Sequence, residues 1–411
     1  MTNSKYVPKR RFKEFVGDGE WEQNQLKELA EFSKGRGYSK SELQTDGQPI
    51  ILYGRLYTKY ETVISTVDTF THIKENSVLS KGGEVLVPSS GESAEDIARA
   101  SVVAEEGIII GGDLNIIKLC KKIEPIFLSL AISNGKQKEE ISKRAQGKSV
   151  VHVNNDDLKQ VNVLFPSISE QIQIGKFFQT IDALISNHQH KLDKLKNLKK
   201  AYLTEMFPAE GERVPKRRFP GFEGEWEWKK LGELATIVRG ASPRPIQDPK
   251  WFDSESEVGW LRISDVTEQN GRIYKLSQRL SSLGQEKTRV VSEPHLILSI
   301  AATVGKPVIN YVRTGIHDGF LIFQEPKFEI EYMYYLLGMF RKNWAAYGQP
   351  GSQLNLNSDI VKEQRVAIPS QSEQVEISKF FKKLDQSITL QQQKLDKLND
   401  LKKAYLNELF V

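Results

Sequence analysis

Few residues of this chain have the types and spacing to do chemistry unaided. One set has the rhythm of a metal-dependent nuclease: Asp318 ahead of an apolar strand, then Glu325-Pro-Lys327 at its end. Two carboxylates and a lysine so arranged could hold a divalent cation and activate water. The proline between Glu325 and Lys327 sits badly in a strand that would have to hold the metal, and with 27% charged residues such spacings recur by chance. The sequence has no Gly-x-Gly-x-x-Gly cofactor loop, no Asn/Asp-Pro-Pro-Tyr/Phe segment and no Gly-x-x-x-x-Gly-Lys-Ser/Thr phosphate loop. Cys120 is the single cysteine, which excludes a disulfide framework and a cysteine-based zinc site; it reads as a core thiol in a reducing compartment. The remaining conspicuous groups are basic. Lys-Arg-Arg stands at 9–11 and again at 216–218, either as a solvated collar or as a phosphate contact. A net charge of +5 favours a polyanionic partner without specifying one.

The elements that would position such groups are repeated. Residues 166–207 and 369–410 are two copies of one stretch, offset by 369 − 166 = 203 without a gap. Each opens Pro-Ser-x-Ser-Glu-Gln, which predicts a capping serine (Ser169, Ser372) ahead of a long amphipathic helix. A seam runs through Ile181, Ile185, His188, Leu192, Leu195, Leu198, Tyr202 and Met206. Its counterpart runs through Leu384, Ile388, Gln391, Leu395, Leu398, Leu401, Tyr405 and Leu409. No glycine or proline interrupts either run beyond Lys176 or Lys379. The simplest partner for each helix is the other, and chain order makes the pair antiparallel. His188 and Gln391 occupy one seam position in the two copies and would fix register rather than bind metal. At ~1.5 Å per residue, about 39 residues span roughly 58 Å, more than one turn of B-DNA at ~34 Å.

A second repeat precedes each helix. Val7-Pro-Lys-Arg-Arg-Phe12 recurs as Val214-Pro-Lys-Arg-Arg-Phe219, and Glu20-Trp21 as Glu225-Trp226, with the aromatic residues as packing anchors. Between collar and helix lie two globules with little internal similarity, about 33–150 and 238–350, whose short strands and turns predict a mixed α/β (α+β) fold. In the first, residues 50–57 read as a strand with a glycine bend, 107–110 as a buried strand and 125–133 as a short apolar helix. The expected division is collar and globule one at 1–165, helix one at 166–210, collar and globule two at 211–368, and helix two at 369–411. The globules would lie at opposite ends of the helix pair, related by an approximate two-fold axis. The charged start MTNSKYVPKRRF and the lack of an apolar run near 18 residues predict no membrane segment and a cytoplasmic location.

Over essentially its whole length the chain resembles the specificity subunits of type I restriction-modification systems. The carriers are the paired Pro-Ser-x-Ser-Glu-Gln helices, Arg239-Gly-x-Ser-Pro-Arg-Pro245, Trp260-Leu-Arg-Ile-Ser-Asp265 and Thr303-Val-Gly-Lys306, in order inside the repeat. The resemblance implies two target-recognition domains, each reading one half of a bipartite double-stranded DNA sequence, asymmetric here because the globules differ. It implies helices that set the gap and dock two methyltransferase subunits, with restriction subunits completing the nuclease. The chain itself would be non-catalytic, without cofactor or metal. S-adenosylmethionine would sit on the methyltransferase subunits, and ATP and Mg on the restriction subunits.

Base readout needs side chains with paired donors or acceptors beside groups that hold phosphates. The candidates in globule one are Lys34, Arg36, Tyr38, Tyr53, Arg55, Tyr57, Lys59, Ser89 and Ser90. Those in globule two are Arg239, Ser242, Arg244, Arg262, Ser264, Thr303, Lys306 and His317, with Gln349, Gln353 and Asn355 on a Gly-rich loop. The helix lysines Lys191, Lys194, Lys199 and Lys200 read as a solvated face or as a track for intervening phosphates. Two other functions stay open on the residues alone: the Asp318/Glu325/Lys327 nuclease, and a coiled-coil scaffold that binds no DNA.

Overall fold

The computed structural model describes residues 6–147, 150–292, 294–341, 344 and 356–411. Compactness divides the chain differently from the linear repeat: one unit is 1–190 with 392–411, the other 191–391. Each unit takes part of both long helices.

The helices run Ile168–Met206 and Gln371–Leu409, 39 residues each. They begin slightly before the expected caps. Ser169 and Ser372 lie in the first turn, and it is the Ser370 hydroxyl that accepts from the Glu373 N–H at 3.4 Å. Of the seam, Ile181, Leu192, Met206, Leu384, Leu395 and Leu409 are buried. Ile185, His188, Leu195, Tyr202, Ile388, Gln391, Leu398 and Tyr405 are half-buried. Leu198 and Leu401, both assigned to the seam, are exposed, at 41% and 43%. The cause is periodicity. Steps of 4 and 3 carry the seam from Ile181 through 185, 188, 192 and 195 to 199, whereas a second step of 3 from Leu195 rotates Leu198 off it. Lys199 takes the inner position and reaches Asp385 at 2.5 Å; its counterpart Lys402 reaches Asp182, also at 2.5 Å.

Inside each unit the collar clamps the helix ends. Arg11 forks onto Glu170 at 2.9 and 2.7 Å, and Arg218 onto Glu373 at 2.7 and 2.7 Å. Arg10 pairs with Glu408 and Arg217 with Glu205, each at 2.5 Å. Arg11 and Arg218 are thus neither a solvated collar nor free for phosphate, whereas Arg10 and Arg217 form solvated pairs at the collar's surface. Phe12 meets Phe177 edge-on at 5.6 Å, and Phe219 meets Phe380 at 5.9 Å. Trp21, Phe127, Phe178 and Phe410 form one aromatic core; Trp226, Tyr332, Phe381 and Phe207 form its equivalent. The expected role of the collar aromatics as packing anchors is what is seen.

The glutamine that ends Pro-Ser-x-Ser-Glu-Gln holds the globule. Gln171 Oε1 accepts from the Glu124 N–H and Gln374 Oε1 from the Glu329 N–H, each at 2.9 Å. Those residues are the N-caps of two apolar helices, Pro125–Asn134 and Ile330–Phe340. One motif so grips collar and globule with adjacent side chains.

The globules share a topology that their sequences conceal. Among the described residues, the larger sheet of globule one has the order Ala30–Lys34, Leu114–Leu119, Val85–Pro88, Ser101–Val103, Val63–Ile64. That of globule two has Thr236–Arg239, Phe320–Gln324, Leu296–Ser299, Pro307–Asn310, Arg272–Ile273. In both, the first three pairings are antiparallel and the last is parallel. The smaller sheets agree in three strands, to which globule one adds Phe70–Thr71 beside Gln48–Ile51. Gln48–Ile51 runs parallel to Glu106–Ile110, which pairs antiparallel with Leu79–Lys81; Gly259–Trp260 runs parallel to Thr314–Ile316, which pairs antiparallel with Arg289–Val291. Two expectations need correction. Residues 50–57 are not one strand: the chain leaves Gln48–Ile51 and coils into the helical turn Arg55–Thr58. Cys120, just past the end of Leu114–Leu119, is exposed rather than buried.

Candidate nucleic-acid interface

Both globules carry a basic turn where the outer strand of the larger sheet leaves it. The Gly35 N–H bonds to Leu114 O at 3.0 Å and the Arg36 N–H to Ile110 O at 3.1 Å. In globule two the Gly240 N–H bonds to Phe320 O and the Ala241 N–H to Ile316 O, both at 2.9 Å. Only glycine fits this crossing. A Cβ on Gly35 would lie 1.9 Å from Gly111 O, and one on Gly240 would lie 2.1 Å from His317 O. The turn delivers Lys34 and Arg36 to the surface of one globule, and Arg239 and Arg244 to that of the other; all four are exposed.

In globule two the turn is organised around Asp318. Its carboxylate accepts from Ser242 Oγ and Arg244 Nη2, each at 2.7 Å, while Arg239 Nε donates to its main-chain oxygen at 2.6 Å. Burial pushes the Asp318 carboxyl up, but the Ser242 hydrogen bond and the charges of Arg244, His317 and Arg239 outweigh it, so the group stays ionised. His317 lies between Trp260, at 5.6 Å, and Phe320, at 4.7 Å; its Nδ1 accepts the Gly319 N–H at 2.9 Å. Burial holds this imidazole below its usual range, the charge of Asp318 opposing weakly. Beside it opens a cleft of about 690 Å³, lined by Phe252, Trp260, Arg262, Gln247 and Gln278 among others. Gln247 and Gln278 are amides of the kind that read adenine edges, and sequence reasoning missed both.

Other candidates are dispersed or occupied. Arg55 is a correction: it is buried and divided between Asp68 at 2.6 Å, Glu61 at 2.7 Å and Thr66 O at 2.9 Å, a brace inside the globule. Lys59 joins it on Asp68 at 3.0 Å. Ser89 is also corrected, being buried. Lys306 is half-buried with its ammonium on Val266 O at 3.1 Å; burial and the nearby Arg341 lower its pKa. Thr303 bonds to Ser299 Oγ at 3.2 Å, and Arg262 to Asp265 at 3.1 Å and Ser277 at 2.7 Å. Ser264 is exposed on the short helix Ile263–Glu268. The half-buried Tyr38 hydroxyl meets Ser77. Tyr53 is exposed and edge-on to Tyr57 at 6.4 Å. Tyr57 donates to Ser90 O at 2.9 Å, and burial pushes its phenol up to about 12. Ser90 Oγ meets His152 Nδ1 at 3.1 Å, and Arg99 lies over the Tyr57 ring at 5.5 Å, two neighbours that sequence reasoning missed. Gln349, Gln353 and Asn355 lie outside the described residues.

The nuclease spacing does not become a site. Asp318 precedes the strand Phe320–Gln324 and Glu325 follows it, so they lie at opposite ends of a five-residue strand that spans roughly 15 Å. Asp318 is taken by Ser242 and Arg244, and among the described residues no cluster of three His, Cys, Asp or Glu could hold a metal.

A family model for the type I restriction modification DNA specificity domain matches residues 18–197 and again 223–400. The chain belongs to this family. A Methanocaldococcus jannaschii chain, the type I restriction enzyme MjaVIII specificity subunit, is 20% identical over 98% of this chain and 96% of its own length. A second chain from that organism, provisionally described as the MjaX specificity subunit, is 23% identical over 95% and 92%. The fold is that of the type I restriction-modification S subunit from M. genitalium, with a TM-score of 0.63 and 15% identity over 98% of this chain and 99% of that one. By family role, such subunits recognise DNA sequence and are not catalytic. No helix among the described residues is long and apolar enough to cross a membrane.

Proposed function

We propose that each globule reads one half of an asymmetric bipartite DNA target, and that the helix pair sets the gap and docks two methyltransferase subunits. Restriction subunits would join that core to complete the nuclease, with S-adenosylmethionine on the methyltransferases and ATP and Mg on the restriction subunits. The supporting observation is the conjunction of one topology with two unlike reading turns. The same strands and the same glycine crossing present Lys34 and Arg36 in one globule, but Arg239, Ser242 and Arg244 in the other. Identical frames with different donors suit two different half-sites. In this reading Arg239 and Arg244 hold phosphates, while His317, Gln247 and Gln278 face base edges beside the cleft.

A genome-wide methyladenine map of cells with and without the gene tests it. Loss of one asymmetric bipartite motif is the expected result, and exchanging residues 238–350 for another globule should then rewrite one half of that motif. An unchanged map from a complex that also fails to bind DNA in a salt-sensitive way would refute the reading.

A further inference from the structure

The helix carboxylates Asp182 and Asp385 occupy the same place in the repeat, 385 − 182 = 203, and each is held from two sides. In one unit Asp182 Oδ1 pairs with Lys402 at 2.5 Å and Oδ2 accepts from Thr62 Oγ1 at 3.1 Å. In the other, Asp385 Oδ1 pairs with Lys199 at 2.5 Å and Oδ2 accepts from the Tyr335 hydroxyl at 2.7 Å, with Arg272 Nη2 at 3.6 Å. The two oxygens divide their work identically: one faces the opposite helix, the other faces the globule.

The lysine side is constant, since Lys199 and Lys402 are repeat equivalents. The globule side varies. Thr62 immediately precedes Val63–Ile64, the edge strand that pairs parallel to the larger sheet of globule one. Arg272 begins the equivalent edge strand of globule two. There it anchors a cluster: its guanidinium donates to Tyr311 at 2.7 Å, Glu331 at 2.9 Å and Tyr335 at 2.9 Å, and Lys199 lies 5.4 Å from the Tyr335 ring centre. Thr62 and Tyr335 are buried, so each globule meets its half-buried carboxylate with a donor fixed by the globule's own packing.

We propose that this carboxylate is the mounting joint that fixes each globule's angle on the helices, making Asp182 and Asp385 positioning residues for the gap between half-sites. The inference rests on the function proposed above. It assigns base identity to the turns and gap length to the helices, and to the joint how strictly that gap is held. Neighbouring base pairs differ by ~3.4 Å along the duplex and by about 35° around it, so a small tilt of a reading head converts one gap into the next.

The test is the methylation map of the full complex carrying Asp385→Asn, Tyr335→Phe or both, with Asp182→Asn as the second joint. Asp385→Asn should bring sites with a gap one base pair longer or shorter to within about tenfold of the native gap, the scale of one charge-assisted contact, while both half-site sequences stay as they were. Tyr335→Phe, which keeps its ring against Phe381, should relax the gap less, and the double variant no more than Asp385→Asn alone. An unaltered gap preference would overturn the proposal. So would a proportional loss at every gap, the mark of lowered stability alone. A wild-type map without any bipartite motif would instead fail the underlying function, and the joint with it.

Discussion

Arg10 and Arg11 are neighbours of one residue type in one hexapeptide, yet the structure gives them very different worth. Arg11 is 7% exposed and forks onto Glu170, itself 1% exposed; Arg10 is 54% exposed and meets Glu408, 36% exposed. Arg11→Ala leaves a buried carboxylate without its cation, which costs about 3–5 kcal/mol, whereas Arg10→Ala removes a solvated pair worth about 0–1 kcal/mol. For a unit of some 200 residues, at roughly 2–4 °C per kcal/mol, Arg11→Ala should lower Tm by about 6–20 °C and Arg10→Ala by less than about 4 °C. The assay is calorimetry on both variants and on Arg11→Ala/Glu170→Gln. The double variant carries no buried charge and should regain part of the loss, by a couple of kcal/mol. Equal small shifts for both arginines, or a double variant weaker than Arg11→Ala, would refute the reasoning.

Lys34→Ala and Arg239→Ala should each weaken DNA binding on all sequences and reduce the slope of log affinity against log salt by about 1, measured by titration at several salt concentrations. Gly240→Ala drives a methyl into His317 O and should cost about 1–3 kcal/mol in urea unfolding, with a matching loss of DNA affinity as the turn shifts. His317 is held neutral below its usual pKa, so the unfolded chain binds its proton first on acidification. Its contribution is therefore complete above about pH 6.5 and is lost as pH falls through the lowered folded value; His317→Gln should flatten that part of the Tm profile, and an unchanged slope would count against the burial argument.

The frame was legible because it is written twice. Most of the seam, the collar aromatics and the mixed α/β class follow from spacing and composition. What the residues hid was equivalence between the globules. Their strands are buried, and many apolar sequences satisfy the same buried strand, so Val85–Pro88 and Leu296–Ser299 share a role without sharing letters. One signal was available: Lys34-Gly35-Arg36 and Arg239-Gly240-Ala241 stand at the collar's offset of 205, around the one glycine the crossing demands. Arg55 and Lys306 misled because residue type says nothing of burial; Glu61, Asp68 and Val266 claim them from other parts of the chain. Leu198 and Leu401 misled because leucine is a poor guide to phase when a lysine holds the inner position.

The aromatic core that joins Trp21, Phe127 and Phe178 to Phe410 also sets an order of events on the ribosome. Phe410 follows Phe178 by 410 − 178 = 232 residues, and at about 5–20 residues per second it emerges roughly 10–50 s later. During that interval Trp21, Phe127 and Phe178 lack their final partner. The other unit draws on 191–391 alone and has its whole complement of residues sooner. The part of the molecule made first is the part completed last, and its unfinished aromatic face is the surface that a chaperone or a neighbouring nascent chain would meet.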